Sequence, residues 1–210
     1  IQYLHAIIKH EILSQNNNVN ISIQEPFINE NNLPISPQSI SLDLSIFAIF
    51  DIRSITYILR CMPNLIRFKF LHGTRTIAQS FAHDLINEFI DNQSLFSIFK
   101  QIKILKSITE NCYVPSDFSL KFVQRFPSLT DIELQVYSFD DCIYAIDILL
   151  SHLKNLSYLK IYYIEVSLLD HSFSLNYIIN KRRQAFGFNI IDEHKITINR
   201  NKESVEIRLS

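Results

Sequence analysis

The chain has 210 residues and a formal net charge of -1, with 47% apolar and 20% charged residues. Its mean hydropathy is +0.08, enough apolar matter for a continuous core and too much for a disordered chain. The near-neutral balance gives no strongly basic surface for nucleic acid or an anionic membrane, and no apolar run approaches the roughly 18 residues that cross a bilayer.

Residue counts exclude more. There are two glycines, Gly73 and Gly187, far apart in the chain. Phosphate loops, dinucleotide fingerprints and nucleophile elbows each need closely spaced glycines, because the backbone must turn tightly or approach a ligand. None can be written here, and no cofactor is expected. Cys61, Cys112 and Cys142 are too few and too scattered for a zinc site or a disulfide framework. They read as reduced, mostly buried thiols of a cytoplasmic or nuclear protein. The chain starts at Ile1 with no basic n-region and cleavage site, and is expected to be a trimmed piece lacking an upstream domain.

One phrase recurs, L-x-x-L-x-L with any large apolar residue at the marked positions. The opening "IQYLHAII" resembles the later "LSYLKIYY" and places Ile1, Leu4 and Ala6 as a truncated copy. Residues 14–39 are rich in Asn, Ser and Pro and read as a loop insertion with a short strand at Val19–Ile23. Leu42 and Leu44 fit the last two positions of a copy. A helix follows, with Ile52, Ile55, Ile58 and Leu59 at helical spacing, Asp51 as its cap and Pro63 closing it. Leu65, Phe68 and Phe70 in "CMPNLIRFKF" form the next copy. Ile77, Phe81, Leu85 and Phe89 then mark a helix at steps of four.

Phe99, Ile102 and Ile104 read as another copy, and "SDFSLKFVQRF" as a short helix before Pro127. Leu129, Ile132 and Leu134 follow in "FPSLTDIEL". The next helix has Asp140 or Asp141 as cap, with Ile143, Ile146, Leu149, Leu150 and Leu153 on one face. Leu156, Leu159 and Ile161 in "LKNLSYLKI" complete the series. "SFSLNYIINKRRQAFG" predicts a helix ended by Gly187, and "HKITINRNKESVEIRLS" a terminal hairpin. From Leu42 the middle positions Phe68, Ile102, Ile132 and Leu159 follow at steps of 26, 34, 30 and 27 residues, the length of one strand plus one helix.

Each strand alternates, with apolar residues on one side and polar ones on the other. A wet strand face is not expected in a doubly wound sheet, which is covered on both sides. The expected fold is α/β: an open curved solenoid of degenerate strand–helix repeats over 1–165, closed by a helix and hairpin cap over 166–210 of the same domain. These residues resemble a leucine-rich repeat protein. The lead-ins "MPNL", "FPSL" and "LKNL" resemble the repeats of F-box proteins in particular.

The resemblance implies a scaffold that holds a protein substrate, joined to a cullin-type ubiquitin ligase through an upstream F-box. The family usually has Asn or Cys at the ninth motif position, where Gly73, Ser107, Tyr137 and Ile164 stand here. That departure puts regular curvature in doubt.

The open face would carry Asp43, Arg67, Lys69, Gln101, Lys103, Asp131, Glu133, Gln135, Tyr158, Lys160 and Tyr162. These are candidates for partner binding, since exposed Tyr and Arg are frequent interface anchors. The alternative is that they are ordinary solvated strand residues. "NKRRQ" at 180–184 reads as a phosphate patch or, better, as the basic end of a helix. His5, His10 and Glu11 lack the spacing that would bring both imidazoles to one face. No catalytic or metal residue is assigned. The alternative to a scaffold is an α/β enzyme whose site is built from loops.

Overall fold

The computed structural model describes residues 8–9, 18–23, 41–46, 52–72, 88–109, 118–164, 174–187 and 192–209. The chain divides into two compact units, Ile1–Cys112 and Tyr113–Ser210. Both are mixed α/β, with mostly parallel strand pairing in the first unit, and among the described residues the strands close no barrel. Among the described residues no helix is long and apolar enough to cross a membrane.

In the first unit the strands are β1 (Ile8–Lys9), β2 (Asn18–Ile23), β3 (Ser41–Ile46), β4 (Arg67–His72) and β5 (Ile104–Thr109), in that spatial order. β1 runs antiparallel to β2, and every later pairing is parallel. β2 aligns Val19 with Leu42 and Ile21 with Leu44. The stretch expected as a loop insertion with a short strand therefore supplies a ladder strand in the same phase as its neighbour. The copy expected at Ile1, Leu4 and Ala6 lies outside the described residues, as do Asp51 and most of the helix expected around Ile77–Phe89.

Helix α1 (Ile52–Arg60) buries Ile58 and Leu59. It stops before Pro63, which has no N–H to continue it. A tight turn follows, in which the Leu65 amide donates to the Met62 carbonyl at 3.2 Å. Met62 and Leu65 are both fully buried. The one-turn helix α2 (Phe96–Phe99) ends in the same way, with the Ile102 amide on the Phe99 carbonyl at 3.3 Å. Phe99 and Ile102 are again fully buried.

This turn corrects the phase read at Phe99, Ile102 and Ile104. Phe99 is equivalent to Met62, not to Leu65. The copy is Ile102, Leu105 and Ser107, and register places Leu105 beside Phe68 and Ser107 beside Phe70. Phe89 fills the space under these strands, 6.0 Å from the Phe68 ring and 5.1 Å from the Phe99 ring, centroid to centroid.

The second unit contains α3 (Phe118–Arg125), β6 (Asp131–Gln135), α4 (Phe139–His152), β7 (Tyr158–Tyr162), α5 (Leu175–Phe186), β8 (Thr197–Arg200) and β9 (Ser204–Arg208). Its strand order is β6-β7-β9-β8, parallel across β6–β7 and antiparallel through the hairpin. The turn recurs twice more. Leu129 donates to Phe126 at 3.3 Å and Leu156 to Leu153 at 3.2 Å, with all four side chains buried.

Helix α4 is capped by Ser138 rather than by Asp140 or Asp141. The Ser138 hydroxyl accepts from the Asp141 amide at 3.1 Å, and the Asp141 carboxylate accepts from the Ser138 amide at 3.2 Å. This reciprocal pair satisfies two amides that the first helical turn leaves open. The helix buries Phe139, Cys142, Ala145, Ile146, Leu149 and Leu150, while Ile143 stays half-buried.

The other end of α4 is closed by Arg182 of α5. Its guanidinium donates to the carbonyls of Leu150 at 3.0 Å, Leu153 at 2.6 Å and Lys154 at 2.6 Å. Helix ends leave such carbonyls without intrahelical partners, and a cation there also complements the helix dipole. Burial pushes the guanidinium pKa down to about 10, so it stays charged at neutral pH. The middle residue of "NKRRQ" thus serves a helix C-terminus, but that of α4 rather than its own.

Two substitutions test these caps by urea unfolding. Arg182→Met strands three carbonyls, two of them in buried bonds, and is expected to cost about 3 kcal/mol. Ser138→Ala is expected to cost about 1 kcal/mol. A loss below about 0.5 kcal/mol for Arg182→Met would show that these bonds do not hold α5 on α4.

Candidate functional site

Alternation divides the strands of the second unit into two faces. On β6 and β7 the second and fourth residues, Ile132, Leu134, Leu159 and Ile161, are buried. The first, third and fifth are half-buried and lie on the opposite face. Register then sets them side by side. Asp131, Tyr158 and Arg208 form one row; Glu133, Lys160 and Glu206 the next; Gln135, Tyr162 and Ser204 a third.

The rows are tied together by charge and aromatic faces. Lys160 Nζ lies 4.0 Å from a Glu206 carboxylate oxygen and 4.8 Å from the centre of the Tyr162 ring. A hydrogen bond to Tyr162 is the chief reason the Lys160 pKa is raised, which keeps the amine charged. Arg208 sits 5.4 Å from the Tyr158 ring centre and makes two bonds to Glu206, at 3.0 and 2.8 Å. Burial, followed by the nearby Glu133 and Glu206, raises the Tyr158 phenol and keeps it protonated. Cations stacked on tyrosine faces hold those rings in fixed orientations, which lowers the entropy lost when something binds them.

Five of the eleven expected face residues lie in the first unit. Register aligns Asp43 with Lys69 and Lys69 with Lys106. Lys69 and Asp43 approach to 3.8 Å with side chains about one third exposed, so the pair contributes little to stability. Arg67 is exposed at the start of β4. Gln101 and Lys103 are not strand residues, because β5 starts at Ile104. Gln101 donates its amide to the Pro63 carbonyl, and exposed Lys103 gives its backbone N–H to Ile66 at 2.8 Å. Their places on β5 are taken by Ile104 and Lys106.

Sequence reasoning also left out Glu206 and Arg208. The alternation in "SVEIRL" puts them opposite Val205, Ile207 and Leu209, which are buried. Only the pairing of β9 with β7 shows that they continue the same face.

The remaining candidates that lie among the described residues are absorbed by the core or by internal pairs. Lys181 binds Asp147 at 3.1 Å, and Tyr177 also donates to that carboxylate. Arg183 pairs with Glu193. All three basic residues of "NKRRQ" therefore have internal partners. His5, His10, Glu11 and Cys112 lie outside the described residues. Among those described, no group of three or more His, Cys, Asp or Glu is placed to hold a metal ion. No protein-family model matches the chain, and no curated protein matches it.

Cys142 is fully buried beside Arg200, and burial outweighs that cation to push its thiol up to about 12. At pH 8 only about one molecule in ten thousand would carry the thiolate, the reactive form. Iodoacetamide at pH 8 is expected to alkylate half-exposed Cys61 at least about 100-fold faster than Cys142, which should react only in denaturant. Peptide mass analysis over time reads both rates. Equal rates in the native protein would mean that Cys142 is accessible and activated.

Proposed function

We propose that the chain is a protein-docking scaffold of the leucine-rich-repeat kind, an open solenoid whose strand face holds a protein partner. The observation that carries this reading is the sorting on β6, β7 and β9. Ile132, Leu134, Leu159, Ile161, Val205 and Ile207 are buried on one side. The other side presents laterally aligned tyrosines, cations and carboxylates. Tyrosine and arginine are the side chains most often found at the energetic centre of interfaces. The four equivalent turns at 62–65, 99–102, 126–129 and 153–156 support a repeat architecture, and concave strand faces are where such architectures bind.

The lead-in "MPNL" and its relatives extend the proposal to the substrate-recognition part of an F-box-type ubiquitin ligase adaptor in the cytoplasm or nucleus. That extension rests on the family resemblance alone, and co-purification of the full-length product with a cullin complex tests it.

The docking reading is tested by placing a photo-crosslinking amino acid at Tyr162, on the strand face, or at Tyr144, exposed on α4. Irradiation in extract of the source cells is expected to give a discrete protein adduct from Tyr162 and none from Tyr144. Tyr158→Ser/Tyr162→Ser is expected to lower capture of that protein at least about tenfold, and Arg67→Glu/Lys69→Glu tests the first unit's face in the same way. Melting temperatures should stay within about 2 °C of the parent, since these side chains lie outside the core. No adduct from Tyr162, or undiminished capture by both double variants, rejects the strand face as the docking surface.

A further inference from the structure

β8 is the last strand of the second unit, and among the described residues no strand covers its outer edge. Which of its backbone groups point there follows from β9. On one side β9 bonds β7, with the Tyr163 amide on the Glu203 carbonyl at 2.9 Å and the Leu209 amide on the Ser157 carbonyl at 2.8 Å. Antiparallel strands exchange bonds at every second residue. The backbones of Glu203, Val205, Ile207 and Leu209 therefore face β7, and those of Ser204, Glu206 and Arg208 face β8. The Asn201 amide on the Ser204 carbonyl at 3.0 Å begins that second set. Register continues it, with Asn199 opposite Glu206 and Thr197 opposite Arg208. Ile198, opposite Ile207, directs its N–H and C=O away from β9, toward the open edge.

The side chains leave that edge accessible. Thr197 and Asn199 are exposed, uncharged and on the strand face. Ile198 lies on the other side and is only half-buried, although its neighbour Ile207 is fully buried. The cation of β8, Arg200, lies on the same side as Ile198, its guanidinium 4.5 Å from the centre of the Phe139 ring. Edge strands are commonly blunted by Lys, Pro or a bulge. Thr197, Ile198 and Asn199 include no charge and no Pro, and their pairing with β9 is unbroken.

We infer that β8 pairs antiparallel with β8 of a second copy of the chain, about a two-fold axis at Ile198. Each Ile198 N–H then donates to the Ile198 carbonyl of the other copy, and the two half-buried isoleucines meet. Thr197 stands beside Asn199 of the other copy, hydroxyl against amide, so no charge opposes another in these pairs. β8 is thus its own complement. A second copy supplies it as a formed strand, whereas a flexible peptide loses backbone entropy on becoming extended. Such a contact closes at two copies and sets their strand faces side by side. It stands apart from the docking reading above.

β8 has four residues, and pairing them covers far less than the roughly 800 Å² per partner of a standard interface. The association is therefore weak, and its test is a concentration series. Sedimentation equilibrium of the full chain from about 10 µM to about 1 mM is expected to show monomer passing to dimer. Thr197→Lys/Asn199→Lys sets like charges against each other in both off-axis pairs, and so does Thr197→Glu/Asn199→Glu. Each variant alone is expected to weaken the dimer at least about tenfold, and their equimolar mixture to recover it as a heterodimer. Recovery does not depend on any harm either variant does to the fold. Ile198→Pro removes the outward N–H without removing a bond to β9, and is expected to abolish dimerisation while circular dichroism shows the monomer still folded.

A chain monomeric throughout the range, or a dimer that both charged variants leave intact, would overturn the proposal. Loss in both variants with no recovery in the mixture would reject the two-fold register and the proposal with it. A chain that stays monomeric while a captured protein crosslinks to a probe at Asn199 would assign the edge to that protein, which also overturns it.

Discussion

A four-residue turn between helix and strand sets the phase of every strand that follows it. Its first and last residues are apolar and buried: Met62 with Leu65, Phe99 with Ile102, Phe126 with Leu129, Leu153 with Leu156. Burying two large side chains three residues apart contributes about 3–6 kcal/mol by area and leaves one way for the chain to leave the helix. The residue after the turn then acts across to the next strand. The Ile66 carbonyl accepts from the amides of Lys103 and Ile104, and the Thr130 carbonyl accepts from those of Ser157 and Tyr158. Helix end, strand start and lateral register are thus fixed by one local device, repeated within each unit. A strand that slipped by one residue would turn its whole buried set to water.

That device explains what could be read in the sequence and what could not. Where the turn has Pro or Lys followed by Asn or Ser, as in "MPNL", "FPSL" and "LKNL", the phase was readable and register agrees with it. In "FKQI" the Asn or Ser position holds Gln, and Phe99 and Ile104 offered a second apolar frame three residues earlier. Periodicity alone cannot choose between two frames that both score. Burial of Leu105 with Ile104 left half-buried does, because Leu105 is an inward position only in the later frame. In the corrected phase the middle residues Val19, Leu42, Phe68, Leu105, Ile132 and Leu159 follow at 23, 26, 37, 27 and 27 residues, and the single long interval is the one that contains Ile77–Phe89. The strand expected at Val19–Ile23 is β2, Asn18–Ile23; what alternation could not show, within a stretch whose Asn, Ser and Pro content reads as loop, is that it pairs in the ladder beside β3.

The candidate face was half legible. Asp131, Glu133, Gln135, Tyr158, Lys160 and Tyr162 follow from alternation once the phase is known. Glu206 and Arg208 do not, because which strand a hairpin joins depends on pairing between distant segments. Tertiary position likewise separates the three basic residues of "NKRRQ". Lys181 and Arg183 form surface pairs, while Arg182 is buried and closes α4 from a different helix. A run of like charges in sequence therefore carried no information about a common surface.

The ninth position, counted from the last residue of each turn, also takes a definite physical form. In the corrected phase Ser107 is a sixth-position residue inside the core, so it does not belong to the ninth position. Tyr137 and Ile164 do occupy that position, and both face solvent. The buried partners at that level are the residues just before them, Val136 and Tyr163, with the Tyr163 ring packed 5.1 Å from that of Phe139. The Tyr163 hydroxyl reaches the Asn201 carbonyl at 2.8 Å, and its amide reaches the Glu203 carbonyl at 2.9 Å. A buried aromatic with a satisfied polar tip thus ties β7 to the hairpin turn. The backbone is held by packing and by the hairpin, and the ninth-position side chains are released to the surface. Tyr137 and Ile164 are thus large, exposed and adjacent, which is why this end of the β6–β7 pair differs from the rest of its face.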